Sequence, residues 1–287
     1  MQGTGVKGIV FIGGGRITSA LIAGLRLAKF NQPIVVHDRN PKKLQRLKRQ
    51  YGVVVAADLR HAVRSARLLM IAVRPDSVAR LLEEIQSYDI PKKLFTVSLA
   101  AGIPLSKLRK GLGTPVRWAR AMPSPVCRGG RGLTALTFSR EFPSTARAEV
   151  RKLFALVGQV LEIPEKRFDA FTVTFSSSHG YHALATLIAA AKAVGLDGKV
   201  ARVAAAHALA DGIAAWRDED VPLDELLQEA ATPGGTAAAV MAAMDVAGYR
   251  EMVERGLRAG VRRARGNARH LSFPAVCQDC ASSIRGV

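Results

Sequence analysis

The sequence predicts an α/β protein in which a doubly wound parallel sheet is followed by an all-α domain. Short apolar runs rich in β-branched residues alternate with helical patterns up to about residue 164. The first such run leads directly into consecutive glycines and then into a helix, as at a sharp strand-to-helix turn. Beyond residue 164 alanine becomes dense and strand patterns stop. We therefore predict domains at residues 1–164 and 165–270, with an irregular tail at residues 271–287.

Length and composition exclude several classes of protein. The 287 residues, 48% of them hydrophobic and 23% charged, are typical of a globular chain with a sizeable core. No apolar run reaches the ~18 residues of a membrane-spanning helix. The first residues lack the layout of a secretion signal, and three cysteines are too few for a disulfide framework. We therefore expect a cytoplasmic protein that does not enter a membrane.

The net charge is strongly positive. Lys and Arg number 42 against 23 Asp and Glu, which gives a formal charge of +19, and such a balance is common among nucleic-acid-binding proteins. Aromatic residues make up only 6%, however, and no recognition motif places stacking rings among the basic residues. We therefore do not expect a nucleic-acid partner, and leave general basicity and acidic small-molecule partners as alternatives.

The best-marked candidate site is the strand-to-helix turn that begins at Gly13. Residues 8–12 form a buried-strand pattern, Gly13, Gly14 and Gly15 follow, and a helical pattern begins after them. Such a turn directs free backbone N–H groups and the positive end of the helix toward an anion. Gly13 suits the tight turn and Gly15 the close approach of a diphosphate, although Thr18 replaces the third glycine of the G-x-G-x-x-G pattern. We predict a Rossmann-like dinucleotide site, with a plain glycine-rich turn as the alternative.

The second strand pattern, at residues 33–37, ends in a charged segment. Asp38 follows the glycines by about 20 residues, where an acid accepts hydrogen bonds from the adenine ribose of NAD. Arg39, Lys42 and Lys43 come next, and cations there suit the 2′-phosphate of NADP. We favour NADP(H) and leave NAD(H) open. A solvated helix start is the alternative for the two lysines.

The remaining elements extend the same two-part plan. Further strands are predicted at residues 52–56, 68–73, 94–99, 115–120, 132–138 and 160–163. Helices are predicted between them at residues 42–50, 59–65, 78–87 and 146–157. The later helices fall at residues 181–194, 198–216, 223–230, 236–244 and 249–265. Because alanine-rich helices pack closely, we expect the later part to form a bundle or an intertwined dimer core.

Five motifs, taken together, resemble one enzyme family. In chain order they are the glycine loop (Gly13, Gly14 and Gly15), Ala-Val-Arg-Pro at residues 72–75, Ser-Leu-Ala-Ala-Gly at 98–102, Met-Pro at 122–123 and Thr-Pro-Gly-Gly-Thr at 232–236. With them the chain resembles the pyrroline-5-carboxylate reductases over residues 7–265. The resemblance implies hydride transfer from NAD(P)H to the C=N carbon of a cyclic imino acid, 1-pyrroline-5-carboxylate, which gives L-proline. It also implies a homodimer or larger homo-oligomer with active sites between subunits.

The resemblance also gives individual residues expected roles. The expected coenzyme contacts are Gly13, Gly14, Gly15, Arg16, Ile17, Asp38, Arg39, Ala72, Val73, Arg74 and Pro75. The expected substrate contacts are Met122, Pro123, Ser124, Ser178, Gly234 and Gly235. The late turn (residues 232–236) precedes an alanine-rich helix, and its amides would hold the substrate carboxylate. Thr232, Thr236 and His179 are the candidate catalytic groups. Helix capping is the alternative for all three, and an exposed position without a ligand is the alternative for His179 and Arg74.

Several residues depart from the family pattern where substrate and nicotinamide would meet. Ser124 and Pro125 replace the family's Asn-Thr after Met-Pro, and Arg16 replaces the asparagine of the glycine loop. His179 stands in a serine segment one residue shorter than usual, and Ala237 takes the place of the threonine that usually bonds the imine nitrogen. The departures leave open a related imine reductase, another β-hydroxyacid-dehydrogenase-like oxidoreductase, or a non-catalytic nucleotide-binding protein.

Two further patterns are weaker candidates. Cys277 and Cys280 form one C-x-x-C, which would need Cys127 or His270 nearby to bind zinc, so we predict no metal site and leave a redox pair open. Arginines also recur at helical spacing, as Arg255, Arg258, Arg262, Arg265 and Arg269. We expect this arginine stripe to face solvent or another subunit, with an acidic partner as the alternative.

Overall fold

A computed structural model describes residues 8–91, 94–219, 221–269 and 271. The strands of these residues are β1 (Gly8–Ile12), β2 (Ile34–His37), β3 (Val54–Val55), β4 (Ala66–Ile71), β5 (Phe95–Ser98), β6 (Arg117–Pro123), β7 (Gly132–Phe138) and β8 (Gly158–Glu162). They form one sheet in the order β3-β2-β1-β4-β5-β6-β7-β8. The first six strands are parallel, β7 is antiparallel to β6, and β8 is parallel to β7. The strand order reverses at β1, which confirms the predicted Rossmann-like, doubly wound topology.

Helices connect the strands and then make up the rest of the described chain. The helices of the sheet region are α1 (Arg16–Leu27), α2 (Pro41–Tyr51), α3 (Leu59–Ser65), α4 (Val78–Gln86), α5 (Leu105–Gly111) and α6 (Ser144–Ala155). The later helices are α7 (Glu165–Thr174), α8 (Ser177–Ala193), α9 (Gly198–Glu219), α10 (Leu223–Ala230), α11 (Thr236–Val246) and α12 (Tyr249–Arg269). The predicted all-α region after the sheet is thus confirmed.

Alternate residues of the buried strands contribute to two cores, one on each face of the sheet. In β1, Ile9 and Phe11 pack with α1, α2 and α6, whereas Val10 and Ile12 pack on the side of α3, α4 and α5. Burial on both faces explains why these parallel strands are continuously apolar in sequence. Each fully buried large apolar side chain stabilises the fold by roughly 1.5–3 kcal/mol.

Local chemistry explains where the strands differ from the predicted ones. The strand predicted at residues 52–56 is limited to Val54–Val55, because Gly52 caps α2 in the left-handed region with φ 63°. β6 begins at Arg117, after Pro115, which has no N–H for a sheet hydrogen bond. β7 reverses direction because only a short 3₁₀ turn, Pro125–Gly129, leads into it, and a parallel crossover needs a dozen or more residues.

The described residues divide into two compact units. One contains the sheet and consists of residues up to 173 together with those from 260 onward, and the other consists of residues 174–259. The predicted domain boundary near residue 164 stays a prediction. Leu271, placed in the irregular tail by the sequence analysis, is buried in the first unit, where its carbonyl accepts a hydrogen bond from Lys107 Nζ at 2.8 Å. The rest of the predicted tail lies outside the described residues.

The second unit exposes many apolar side chains. Helices α8 and α9 pack against each other, yet α8, α10 and α11 contain no buried residue. Large exposed apolar residues of this unit include Tyr181, Val194, Val203, Ile213, Trp216, Val240 and Val246. Exposed apolar surface of this extent is typical of a face that contacts another protein. In the described part of the chain, no helix is both long and apolar enough to cross a membrane.

Candidate functional site

The glycine loop connects β1 to α1 at the carboxyl edge of the sheet. Gly13 has a φ of 107°, and its N–H donates to the carbonyl of His37 at 2.7 Å. A Cβ on Gly13 would lie 2.6 Å from the carbonyl oxygen of Ala72, so glycine is required there by the fold itself. The Thr18 hydroxyl donates to the Gly13 carbonyl at 2.5 Å. The residue that breaks the three-glycine pattern therefore fastens the loop to α1.

Gly15 is the N-cap of α1 and faces open space. Its φ of −77° and ψ of −168° are accessible to any residue. A Cβ on Gly15 would meet no atom within 4 Å. No side-chain hydrogen bond caps α1, and no acidic residue stands in its first turn. The first amides of α1 and its positive end are therefore available to an anion, with the space beside Gly15 that a diphosphate needs.

Asp38 connects the glycine loop to the start of α2. Its Oδ2 accepts the N–H of Gly14 at 2.7 Å and lies 3.4 Å from Lys43 Nζ, and its Oδ1 accepts the N–H of Asn40 at 2.8 Å. Burial raises the pKa of Asp38, but the two amide hydrogen bonds and the Lys43 charge outweigh burial and leave that pKa below its ordinary value. Asp38 is thus a charged brace of the loop, and Lys43 belongs to that brace.

The other cations predicted near the adenosine end are exposed. Asn40 caps α2 by accepting the Lys42 N–H at 3.0 Å, which places Lys42 in the first turn of that helix. Arg39 and Lys42 are both exposed beside Asp38. Arg16, the first residue of α1, is exposed as well, whereas Ile17 packs against the core. The exposed guanidinium and ammonium groups leave this end of the loop open to a phosphate.

The residues after β4 lie beside the glycine loop. The Ala72 N–H donates to the carbonyl of Ile12 at 2.8 Å, which continues the pairing of β4 with β1 past its end. Ala72 and Val73 are half-buried. Arg74 is exposed over 83% of its side chain, 3.5 Å from Asp76, and precedes a 3₁₀ turn at Pro75–Ser77. The structure therefore brings the predicted 72–75 segment to the same edge as the glycine loop.

The end of β6 reaches that edge too, because β6 is parallel to its neighbour β5. Met122 and Pro123 are the last residues of β6, and the Ser124 N–H donates to the carbonyl of Leu133 at 2.9 Å. Ser124 is 8% exposed, and its Oγ accepts the Val126 N–H at 3.3 Å. The backbone places these three residues at the same edge as the glycine loop, and their substrate contacts stay a prediction.

The late turn leads directly into α11, as its sequence predicts. The Gly235 N–H donates to the Thr232 carbonyl at 2.8 Å, and Gly234 has a φ of 77°, which with Pro233 before it is the pattern of a type II turn. Gly235 is the N-cap of α11, and no side-chain hydrogen bond caps that helix. Thr232 and Thr236 are exposed, and their hydroxyls bond no residue that the structure describes. In the structure, therefore, neither threonine caps α11 through its side chain.

The serine segment forms the start of α8. Ser176 is the N-cap, its Oγ lies 2.7 Å from that of Ser178, and the His179 N–H donates to the Ser176 carbonyl at 3.0 Å. Ser178 and His179 are exposed. These residues and the late turn belong to the second unit, whereas the glycine loop belongs to the first. The predicted common cleft between them stays a prediction.

Sequence reasoning missed a buried charged group in the first unit. Arg120 in β6 is 2% exposed, 2.9 Å from Asp169 and 3.3 Å from Glu165, and its guanidinium lies 4.4 Å from the Phe168 ring centre. Its Nε has no hydrogen-bond partner in the described structure. The carboxylates come from 45 and 49 residues further along the chain, so no local pattern marks them. They fix the start of α7 to the sheet.

For the two weaker candidates, the cysteines and the arginine stripe, the described residues provide no set of ligands. Cys127 is buried in the core, and burial raises the pKa of its thiol to about 11. Cys277, Cys280 and His270 lie outside the described residues, and the described residues contain no cluster that could hold a metal ion. The members of the arginine stripe are exposed, and Arg258 forms an ion pair with Glu254.

Comparison with known families gives matches to both parts of the chain. A family model described as "NADP oxidoreductase coenzyme F420-dependent" matches residues 8–102. A second, described as "Pyrroline-5-carboxylate reductase dimerisation", matches residues 165–267. The two matches coincide with the strand–glycine–helix region and with the later helices.

Individual relatives match over nearly their whole length. Pyrroline-5-carboxylate reductase of Mycobacterium tuberculosis is 31% identical over 290 residues, covering 91% of this chain and 96% of the relative. The Thermus thermophilus enzyme of the same name is 32% identical, with 89% and 96% covered. The fold matches that of Plasmodium falciparum pyrroline carboxylate reductase, solved with NADP bound, at a TM-score of 0.81 and 20% identity, covering 93% and 100%. The Coxiella burnetii pyrroline-5-carboxylate reductase gives a TM-score of 0.80 at 24% identity, with 92% and 99% covered.

Proposed function

The chain belongs to the pyrroline-5-carboxylate reductase family, and from this premise we propose that it reduces 1-pyrroline-5-carboxylate to L-proline with NADPH in the cytoplasm. The names of its full-length relatives support the reaction. The NADP bound to the Plasmodium falciparum protein supports the choice of coenzyme, together with the cations beside Asp38. NADH remains the second coenzyme to be tested.

One observation carries the proposal, namely the unobstructed space at Gly15. The fold demands glycine at position 13 but not at position 15, where an added Cβ would meet nothing. A glycine that the protein itself does not need fits a ligand that approaches the backbone closely. The Gly14 amide already donates to Asp38, so the amides of Gly15 and Arg16 would hold the diphosphate, and Arg39 and Lys42 a 2′-phosphate.

The nicotinamide would lie along residues 72–75 and 122–124, at the edge where β4 and β6 end. When bound, NADPH supplies the hydride that adds to the imine carbon. The half-buried backbone at Ala72 and Val73 would orient the ring and exclude water from one side. The exposed Arg74 would border the bound coenzyme rather than contact the reacting atoms.

The late turn would hold the carboxylate of the substrate. Its type II geometry and the uncapped N-terminus of α11 leave several amides without partners within the turn. A cyclic imine is partly protonated near neutral pH, so the protein has to position the iminium more than to donate a proton. The hydroxyls of Thr232 and Thr236 would orient the ring nitrogen, and Ser178 and His179 would complete the polar lining.

A homodimer would cover the apolar helices of the second unit. The dimerisation family model over residues 165–267 and the exposed apolar side chains support this assembly. In such a dimer each active site would lie between subunits, as the family resemblance implies. Sedimentation of the purified chain tests the assembly, and a monomer at all concentrations contradicts it.

A panel of cyclic imino acids tests the reaction. The purified chain is mixed with NADPH or NADH and each imine, and the loss of nicotinamide absorbance is followed. Turnover of 1-pyrroline-5-carboxylate with NADPH supports the proposal, and absence of turnover with every imine contradicts it. Thr236→Val keeps the shape of the side chain but removes its hydroxyl, so it is expected to lower kcat. Thr145→Val, at an exposed position on α6, is the matched control and should leave kcat unchanged.

A related imine reductase with a different substrate is the second candidate. Ala237, in the first turn of α11, offers no hydroxyl to an imine nitrogen. Turnover confined to six-membered or larger imines would favour this candidate. Ala237→Thr would then be expected to increase activity toward 1-pyrroline-5-carboxylate.

A further inference from the structure

A second concave region lies in the first unit, at the edge of the sheet opposite the glycine loop. One cavity of about 750 Å³ lies between α5, the end of β7 and the connection from β8 to α7. A neighbouring cavity of about 350 Å³ lies against the connection from α5 to β6. Both are lined by Ser106, Arg109 and Ser139, so the two cavities adjoin, and together we call them the arginine cleft. The Ser139 N–H donates to the carbonyl of Trp118, near the amino end of β6, which places the cleft far from the β6 end at Pro123.

Positive side chains outnumber carboxylates in the arginine cleft. Its cationic lining is Arg109, Lys110, Arg117, Arg140 and Arg151, and its carboxylates are Glu141, Glu162 and Glu165. Each carboxylate is already engaged: Glu141 by Arg109, Glu162 by Arg151, and Glu165 by the buried Arg120. Lys110, Arg117 and Arg140 form no ion pair with any residue that the structure describes.

The titration of Glu141 supports a positive field at the cleft. A hydrogen bond from its own backbone amide is the main cause that lowers the pKa of Glu141, and the charges of Arg109 and Arg117 lower it further. The Ser139 hydroxyl contributes to the same shift. Arginines that stabilise one negative charge here would stabilise a second anion in the adjoining space.

We propose that the arginine cleft binds a phosphate-bearing small molecule, separately from the coenzyme and the imino acid. The planar guanidinium groups of Arg109, Arg117 and Arg140 match the oxygens of phosphate in pairs. Ser106 and Thr137 add hydroxyl groups to the same lining. The cavity volume is in the range of sites for small ligands, ~300–1,000 Å³, and the three unpaired cations favour a ligand with more than one negative charge.

Calorimetric titration of the full chain tests this site. The protein is saturated with NADPH and titrated with inorganic tripolyphosphate, with ATP and, as a carboxylate control, with citrate. We expect tripolyphosphate or ATP to bind. Binding of both indicates that the phosphate chain suffices, and binding of ATP alone indicates a nucleotide. The triple variant Arg109→Gln, Arg117→Gln, Arg140→Gln is expected to bind at least roughly tenfold more weakly. Arg49→Gln, which removes an exposed arginine of α2 outside the cleft, is expected to bind like the wild type.

Three outcomes would refute the arginine cleft as a phosphate site. They are no binding of either phosphate compound, equal affinity in the triple variant, and citrate binding as tight as tripolyphosphate. If circular dichroism shows that the triple variant is unfolded, chemical modification of the wild-type arginines by phenylglyoxal replaces the variant as the test of the site. Tripolyphosphate or ATP then has to protect Arg109, Arg117 and Arg140 but not Arg49, and equal modification with and without ligand refutes the site. The comparison of variants identifies the cleft whether or not NADPH binds, so the coenzyme proposal is tested separately.

Discussion

Replacing Gly15 with aspartate separates what the fold needs from what a coenzyme needs. Gly15 is the N-cap of α1, with ordinary backbone angles and no atom within 4 Å of an added Cβ. Aspartate and asparagine are both favoured N-cap residues, because their side chains accept hydrogen bonds from the first amides of a helix. Gly15→Asp and Gly15→Asn should therefore fold as well as the wild type, with free energies of unfolding within about 1 kcal/mol of it.

The two variants differ in charge at the point where the diphosphate would lie. Two unit charges of like sign ~6 Å apart repel by about 2.8 kcal/mol at an effective dielectric constant of 20. Gly15 is half-exposed, so solvent screening lowers this figure, and we take about 2–3 kcal/mol for the several charges of a diphosphate. Gly15→Asp should then bind NADPH roughly 30- to 150-fold more weakly than Gly15→Asn.

Titration of NADPH fluorescence measures both affinities, and urea unfolding checks that both variants are folded. The comparison of Asp with Asn holds side-chain size and helix capping nearly constant, so it isolates the charge. Equal NADPH affinities of two folded variants would refute the assignment of the glycine loop to the diphosphate.

Three further substitutions test the contacts that hold the site in place. Asp38→Asn should lower the free energy of unfolding by about 1–3 kcal/mol at pH 7. Because the folded pKa of Asp38 is lowered, this loss of stability should disappear as the pH falls below about 4. A loss of stability that does not depend on pH would argue against the charged brace. Arg120→Met leaves two partly buried carboxylates without their arginine and should lower the free energy of unfolding, measured in urea, by about 3 kcal/mol. The control Arg67→Met breaks an exposed ion pair and should lower it by less than about 1 kcal/mol. Similar losses in the two variants would contradict the role of the buried arginine. Gly102 has a φ of 76°, and a Cβ there would clash with the Ala264 carbonyl oxygen of α12. Gly102→Ala should therefore melt at a temperature well below that of Gly52→Ala, because Gly52 shares the positive φ but has open space around it. Equal melting temperatures of the two variants would mean that α12 does not pack against Gly102.

Much of the fold could be predicted because its signals are local. One short stretch of chain contains the β-branched run before Gly13, the glycines and the helical pattern after them. Each of these patterns predicts the structure of the residues that form it. The late turn is local in the same sense, since the hydrogen bond from Gly235 to Thr232 closes within four residues. Both were predicted as glycine-containing turns that lead into a helix, and the structure has such a turn at each place.

Contacts between distant parts of the chain could not be predicted in this way. Asp38 reaches the Gly14 amide only because β1 and β2 pair in a particular register, and sequence reasoning assigned Asp38 to the ribose without the loop contact. In the sequence nothing distinguishes Arg120 from any other strand residue, because the carboxylates that pair with it come from α7. The direction of β7 depends on the length of one short connection, which the strand pattern itself does not contain.

Transfer of deuterium from labelled coenzyme to product tests the central claim most directly. NADPH carrying deuterium in both positions at C4 of the nicotinamide is incubated with the purified chain and 1-pyrroline-5-carboxylate, and the product is analysed by mass spectrometry and NMR. Direct hydride transfer predicts proline with one deuterium on the carbon that belonged to the C=N bond. Absence of proline, or proline without deuterium at that carbon, would contradict the account.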